Sequence, residues 1–152
     1  MALLLDKSYL NLHMIIATGS NKKLYYWLIR RSSRFTKKTL VLPCANNIDE
    51  LMEAAEVIIT KPGGITTAEA LAKGVPMLIV HPLPGQEAMN TKFLLNEGVA
   101  VKAENPQDAV TLLSELLYNK VKLQRMGLTA KRLSKPASSI DIAKLLLQLV
   151  GT

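Results

Sequence analysis

Two stretches of this sequence carry residue types that can handle a ligand: TKPGGITTAEALAKG at residues 60–74 and HPLPGQEAMN at residues 81–90. In the first, an apolar run, EVIIT, meets a proline and two glycines and restarts at once as a helix. Gly63 and Gly64 permit backbone conformations closed to other residues and let another molecule approach the main chain. The first N–H groups of the helix have no intrahelical acceptor. Together with the helix dipole they form a site for an anion such as a phosphate. Thr66 and Thr67 add hydroxyl donors. Glu69, about one turn inside the helix, brings a carboxylate that can accept from two adjacent hydroxyls, the way dinucleotide sites hold a ribose. The plainer reading of the same residues is a turn and a helix start, with Thr66 or Thr67 as cap and Glu69 complementing the dipole.

The second stretch follows another apolar run, PMLIV. Two prolines and a glycine fix a rigid loop at the carboxyl end of that run, where open α/β sheets bind ligands. Gln86, Glu87 and Asn90 then present amide and carboxylate groups on the first turns of a helix, with 86 and 90 one turn apart on one face. Sugar hydroxyls need donors and acceptors together, and these groups supply both. Helix capping in a polar loop is the plainer account. His81 stands between strand and loop, placed either to touch a ligand or to serve as a hydrogen-bonded structural histidine.

Both stretches must be held at one edge of a sheet, and the remaining pattern supplies it. HMIIATG (13–19), LVL (40–42), EVIIT (56–60), PMLIV (76–80) and GVAVK (98–102) are short, rich in Val, Ile and Leu, and closed by turn formers, as strands buried on both faces are. Helical patterns separate them at roughly 21–34, 48–55, 65–73 and 87–97. Strand and helix in alternation predict an α/β fold, a doubly wound parallel sheet with flanking helices. After the last strand the pattern is helical at 106–118, about 119–133 and 137–150, with Asn105 as cap and Pro106 in the first turn. The last two helices are expected to close one side of the sheet. Doubly wound domains open with a strand and a glycine-bearing loop. This chain begins with a helical pattern, ALLLDKSYL, so the first strand is expected to be missing and a gap or exposed sheet edges are expected beside EVIIT. Such edges invite association, so homo-oligomers are an expected outcome.

The chain of 152 residues suits one domain, 1–152, large enough to bury a core. No apolar run reaches the roughly 18 residues of a membrane span, and the amino terminus lacks the features of a signal peptide. A single cysteine, Cys44, excludes an internal disulfide, and with two histidines no metal-ligand spacing can be made; no metal and no cofactor are expected. The cytoplasm is the expected compartment, with a peripheral position at a membrane as its extension. The net charge of +7 is concentrated in the first third, where no acidic residue occurs between Asp6 and Asp49. Residues 21–38, NKKLYYWLIRRSSRFTKK, are basic and partly amphipathic, with Leu24, Trp27 or Leu28, and Arg31 at helical spacing. Such a helix suits an anionic membrane surface, or it packs its apolar stripe on the sheet with its charges in water. Nucleic acid is not an expected partner, because neither a stacking platform nor a recognition helix is visible.

Read together, PGGITTAEALAKGVPMLIVHPLPGQEAMN resembles the carboxyl-terminal half of GT-B glycosyltransferases. The likeness is to the diacylglycerol glycosyltransferases of the monogalactosyldiacylglycerol synthase type and, more distantly, to the peptidoglycan GlcNAc-transferase. It extends more weakly from about His13 to Leu147, including ATGSNKKL and NNIDELMEAAEVIITK. The resemblance implies a Rossmann-like GT-B carboxyl-terminal domain that binds a UDP-sugar. Gly64, Ile65 and Thr66 would lie by the diphosphate through backbone and hydroxyl, in a nucleotide and diphosphate site that also counts Gly63 and Thr67; Glu69 would take the ribose hydroxyls, and Gln86, Glu87 and Asn90 would contact the hexose. It also implies no bound metal, the UDP-sugar being the donor substrate. The family's two-domain enzymes carry an amino-terminal domain that binds the acceptor and supplies a base. The expectation is therefore the donor-binding half of a hexosyltransferase acting on a lipid such as diacylglycerol, inactive alone and completed by an acceptor-domain chain. The alternative is a non-catalytic UDP-sugar-binding subunit or membrane-surface module.

Overall fold

The computed structural model describes residues 1–151. Its elements alternate as the apolar pattern requires. In order they are α1 (Ala2–Lys7), β1 (Met14–Ala17), α2 (Lys22–Ser32), β2 (Thr39–Leu42), α3 (Ile48–Glu53), β3 (Ile58–Thr60), α4 (Gly64–Lys73), β4 (Met77–Val80), α5 (Gln86–Asn96), β5 (Ala100–Ala103), α6 (Pro106–Tyr118), α7 (Lys120–Leu133) and α8 (Ser138–Val150). All strand pairs are parallel. Met77, Leu78 and Ile79 of β4 are all fully buried, the signature of a central parallel strand covered on both faces.

The strands form two sheets rather than one. β1 pairs with β2, and β3, β4 and β5 pair in that order. β4 is central because it bonds to β3 on one side and β5 on the other, Leu78 standing between Ile59 and Val101. The interruption falls beside β3, where a gap was expected: among the described residues β1 pairs only with β2, and β3 only with β4. The two sheets nonetheless share a core, for Met14 and Leu78 belong to one buried cluster with Leu5, Leu10, Ala109 and Leu113, against which Ile16 and Ile59 pack. A second cluster, around Met77, Ile79, Leu94 and Val99, sits under α4, α5 and α7.

Local chemistry explains several joints. Asn105 caps α6 by accepting from Asp108 N–H at 2.9 Å, and Pro106 occupies the first turn. α4 ends at Gly74 in the left-handed region, φ 71°. There α7 comes so close that a Cβ on Gly127 would meet the Gly74 carbonyl oxygen at 2.8 Å. Helix α1 ends at Lys7 rather than running to Leu10, as Ser8 turns extended. It is fastened by Asp6, which accepts from the N–H groups of Thr36 and Lys37 at 2.7 and 3.0 Å. Those donors hold the Asp6 carboxyl below its ordinary value, the Lys37 N–H contributing most.

One packing expectation is corrected. α7 does close on the sheet layer through α4, but α8 has no buried residue and exposes Ile140, Ile142, Leu145, Leu146, Leu147 and Val150. The amphipathic spacing of α8 is present; the described residues do not cover its apolar side.

Candidate functional site

The site begins at the carboxyl ends of β3 and β4. After Thr60 the chain passes Pro62, whose side chain is fully buried, and reaches Gly63, the N-cap of α4. Gly63 is extended, φ −65° and ψ 149°, and supplies no side-chain cap. Thr67 N–H is the first in the helix to find a backbone acceptor, the Gly63 carbonyl at 2.9 Å. The N–H groups of Gly64, Ile65 and Thr66 are left without a partner among the described residues. Three open donors at the positive end of a helix dipole can receive an anion.

The threonines part company here. Thr66 is half-buried at the helix mouth, whereas Thr67 is buried and its Oγ1 has no hydrogen-bond partner among the described residues. Helical spacing explains it: Thr67 shares a face with Ala70 and Leu71, three and four residues on, and both are buried. The Thr67 hydroxyl is thus enclosed on the core side of α4, whereas that of Thr66 stands at the helix mouth. Neither threonine caps the helix. Glu69 lies on the opposite, exposed face, one turn beyond Ile65, which is 78 % exposed. Among the described residues no hydrogen bond or ion pair engages the exposed Glu69 carboxylate, which can therefore accept.

β4 delivers the second stretch. His81 is exposed and takes φ 45°, the one non-glycine residue with positive φ among those described. A histidine tolerates this region better than most residues, yet strain of this kind persists only where surrounding structure imposes it, and it gathers at ligand-binding sites. Gly85, φ 90°, is the N-cap of α5. Glu87 folds back so that Oε2 accepts from Leu83 N–H at 2.6 Å, bracing the proline loop. Asn90 Nδ2 donates to the Pro62 carbonyl at 2.8 Å, tying α5 to the loop before α4. Gln86 is exposed and stands over the first stretch: a Cβ on Gly64 would lie 3.8 Å from its Nε2.

The fold thus brings Gly63, Gly64, Ile65, Thr66, Gln86 and Asn90 together where α4 and α5 start, with His81 on the loop before α5 and Glu87 in its first turn. Glu87 and Asn90 each spend one polar atom on their bonds to Leu83 and Pro62. Sequence reasoning missed Pro62, whose carbonyl is the tether between the two stretches; its signal was the proline buried between an apolar run and paired glycines. The starts of α4 and α5 thus offer main-chain N–H groups and amide side chains, with the Glu69 carboxylate on the exposed face of α4.

Comparison with known proteins bears on the family and the fold. The glycosyltransferase family 28 C-terminal domain matches residues 2–146. Relatives include a processive diacylglycerol beta-glucosyltransferase of Staphylococcus epidermidis, 31 % identical over 97 % of this chain and 37 % of the relative. The enzyme of the same name from Bacillus licheniformis is 34 % identical over 85 % of this chain and 34 % of the relative. Among solved structures, Acinetobacter baumannii MurG superposes with a TM-score of 0.76 over 95 % of this chain and 43 % of that one, at 22 % identity. The chain spans little more than a third of the length of the glucosyltransferases it matches.

Proposed function

Since the chain belongs to the glycosyltransferase family 28 C-terminal domain family and has the Rossmann-like fold of a GT-B carboxyl-terminal domain, we propose that it is the donor-binding half of a UDP-sugar-dependent hexosyltransferase acting on a lipid acceptor such as diacylglycerol. The observation that carries this reading is the meeting of the open amino terminus of α4 with Gln86 of α5. The unpartnered N–H groups of Gly64, Ile65 and Thr66 receive the diphosphate, stabilising its charge in the bound donor and again as it leaves. Thr66 adds its hydroxyl. Glu69 accepts from the ribose hydroxyls, and Gln86 meets the hexose, with Glu87 and Asn90 turning their remaining oxygens toward it. His81 borders the hexose end. Main-chain donors and the helix dipole carry the leaving-group charge without a metal ion. The acceptor site and the base that deprotonates the acceptor belong to a second, amino-terminal domain, as the greater length of the matched glucosyltransferases suggests.

Calorimetric titration with UDP and UDP-glucose tests the reading. Binding of both, with the glucose adding affinity that Gln86→Ala removes, supports it. Silence toward both ligands at millimolar concentration, from this chain and from this chain joined to the amino-terminal domain of a matched glucosyltransferase, sinks it.

A further inference from the structure

Helix α2 is fastened to the protein by one narrow side. Leu28 is its only buried residue, flanked by half-buried Tyr25 and Ser32. The opposite side is formed by Lys23, Tyr26, Trp27 and Arg30, at the i, i+3, i+4, i+7 spacing that places four residues on one helical face. All four are exposed, Tyr26 at 59 % and Trp27 at 39 %. Leu24 and Ile29 border this face and are also exposed. Arg31 lays its guanidinium 4.1 Å from the centre of the Trp27 ring. No acidic residue stands between Asp6 and Asp49, so nothing on α2 or its flanking loops neutralises Lys22, Lys23, Arg30, Arg31, Arg34 and Lys38.

We infer that the outward face of α2 is a contact surface for an anionic lipid bilayer, on which the helix lies flat. Three features of the face fit that one occupant. Its charge is of a single sign, and each lysine or arginine near an anionic leaflet is attracted to it. Its aromatic residues are a tyrosine and a tryptophan, the pair that settles at headgroup level. At its two borders Leu24 and Ile29 adjoin cations whose stems can lie along the apolar boundary while their heads reach the phosphates. Single-stranded nucleic acid would need an open aromatic face for stacking, and Arg31 already covers one face of Trp27. Helix α8 exposes an aliphatic row with one aspartate, Asp141, and one lysine, Lys144, so it carries no net charge to prefer anionic over neutral lipid, which separates the two surfaces experimentally. The inference stands apart from the donor site, and UDP titration of the same variants tells the failure of one from the failure of the other.

Trp27 is the only tryptophan in the chain, so intrinsic fluorescence reports this helix directly. With vesicles of phosphatidylcholine containing phosphatidylglycerol, the emission should shift to the blue, and the shift should fade as salt is raised. Pure phosphatidylcholine vesicles should leave it in place. Lys23→Glu with Arg30→Glu should weaken binding by about fivefold or more for each residue reversed, measured by vesicle sedimentation, with the helical circular dichroism retained. Lys120→Glu on α7 with Lys135→Glu in the turn between α7 and α8 makes the same change in net charge away from α2 and should leave α2 binding within twofold of the parent. The proposal is overturned by equal shifts on neutral and anionic vesicles, by no shift on either, by equal losses in the two double variants, or by tighter binding to single-stranded RNA than to anionic vesicles.

Discussion

Gln86 and Asn90 are amide side chains one turn apart on α5, and the sequence alone gives them the same role toward a hexose. The structure divides them. Gln86 projects freely over Gly64, while Asn90 donates to the Pro62 carbonyl and so holds the loop that opens α4. Gln86→Ala should therefore weaken UDP-glucose and spare UDP, whereas Asn90→Ala should weaken both, because it releases the loop that presents the donors. Calorimetry with the two ligands separates these patterns, and an Asn90→Ala protein that keeps full UDP affinity would show the tether to be dispensable. Glu69→Ala removes a charged acceptor that contributes roughly 1.5–3 kcal/mol, so UDP affinity should fall about ten- to a hundredfold. Thr67→Val is the control: it removes an enclosed hydroxyl without a partner among the described residues while keeping the shape. It should leave UDP affinity unchanged and the melting temperature equal or higher. A loss of UDP binding in Thr67→Val would return that residue to the site.

The elements are held in place by contacts whose strength can be tested one joint at a time. α4 reaches α7 through Gly74 and Gly127, and alanine at 127 would set its methyl 2.8 Å from a backbone oxygen. Alanine gains about 1 kcal/mol of helix propensity over glycine, but the clash is with main chain, which cannot rotate away, and overpacking of this kind costs about 1–3 kcal/mol. Gly127→Ala should therefore be net destabilising, lowering the melting temperature by a few degrees; an increase would mean that α7 can slide. α3 is joined to α4 by Lys73, which donates to Glu53 at 2.9 Å and lies 3.7 Å from Asp49. α1 is joined to the segment before β2 by Asp6. Its carboxyl sits below its ordinary value of 3.8 when folded, so the unfolded chain binds this proton first. The contribution is fully present above pH 3.8 and is lost as pH falls through the lower, folded value. Asp6→Asn should flatten the acid limb of the stability curve in that window, read by urea midpoints at successive pH values. An unchanged acid limb would show that other carboxylates set it.

At the scale of the whole molecule, two sheets with free edges and a helix with no buried residue leave much surface for association. β1 and β3 each pair on one side only among the described residues, and α8 exposes Ile140, Ile142, Leu145, Leu146 and Leu147. Unpaired edges and contiguous apolar surface both favour self-contact. Sedimentation velocity should show association that grows with concentration, and a chain ending before α8 should shift toward monomer. A monomer at every concentration, with α8 present, would mean that the exposed aliphatic row does not drive contact. Under the proposed donor-binding role, residues 1–152 should bind donor without transferring sugar to diacylglycerol, and transfer should appear when an acceptor-binding domain is supplied.

The order of strands and helices was legible in the sequence because apolar runs of four or five residues, broken by Gly, Pro and Asn, state their own periodicity. The two ligand-facing stretches were legible because glycines and helix starts carry their chemistry locally. Tertiary structure alone decided three things. It enclosed Thr67 and left Thr66 at the mouth, since which of two adjacent threonines faces the core depends on where α4 rests. It committed the Asn90 amide to bracing, since the Pro62 carbonyl comes within its reach only once β3 and β4 pair, and it closed the local bond from Leu83 N–H to Glu87. It turned Trp27 and Leu24 outward on α2, since spacing reports that a helix has an apolar stripe but not how much of that stripe its neighbours can cover.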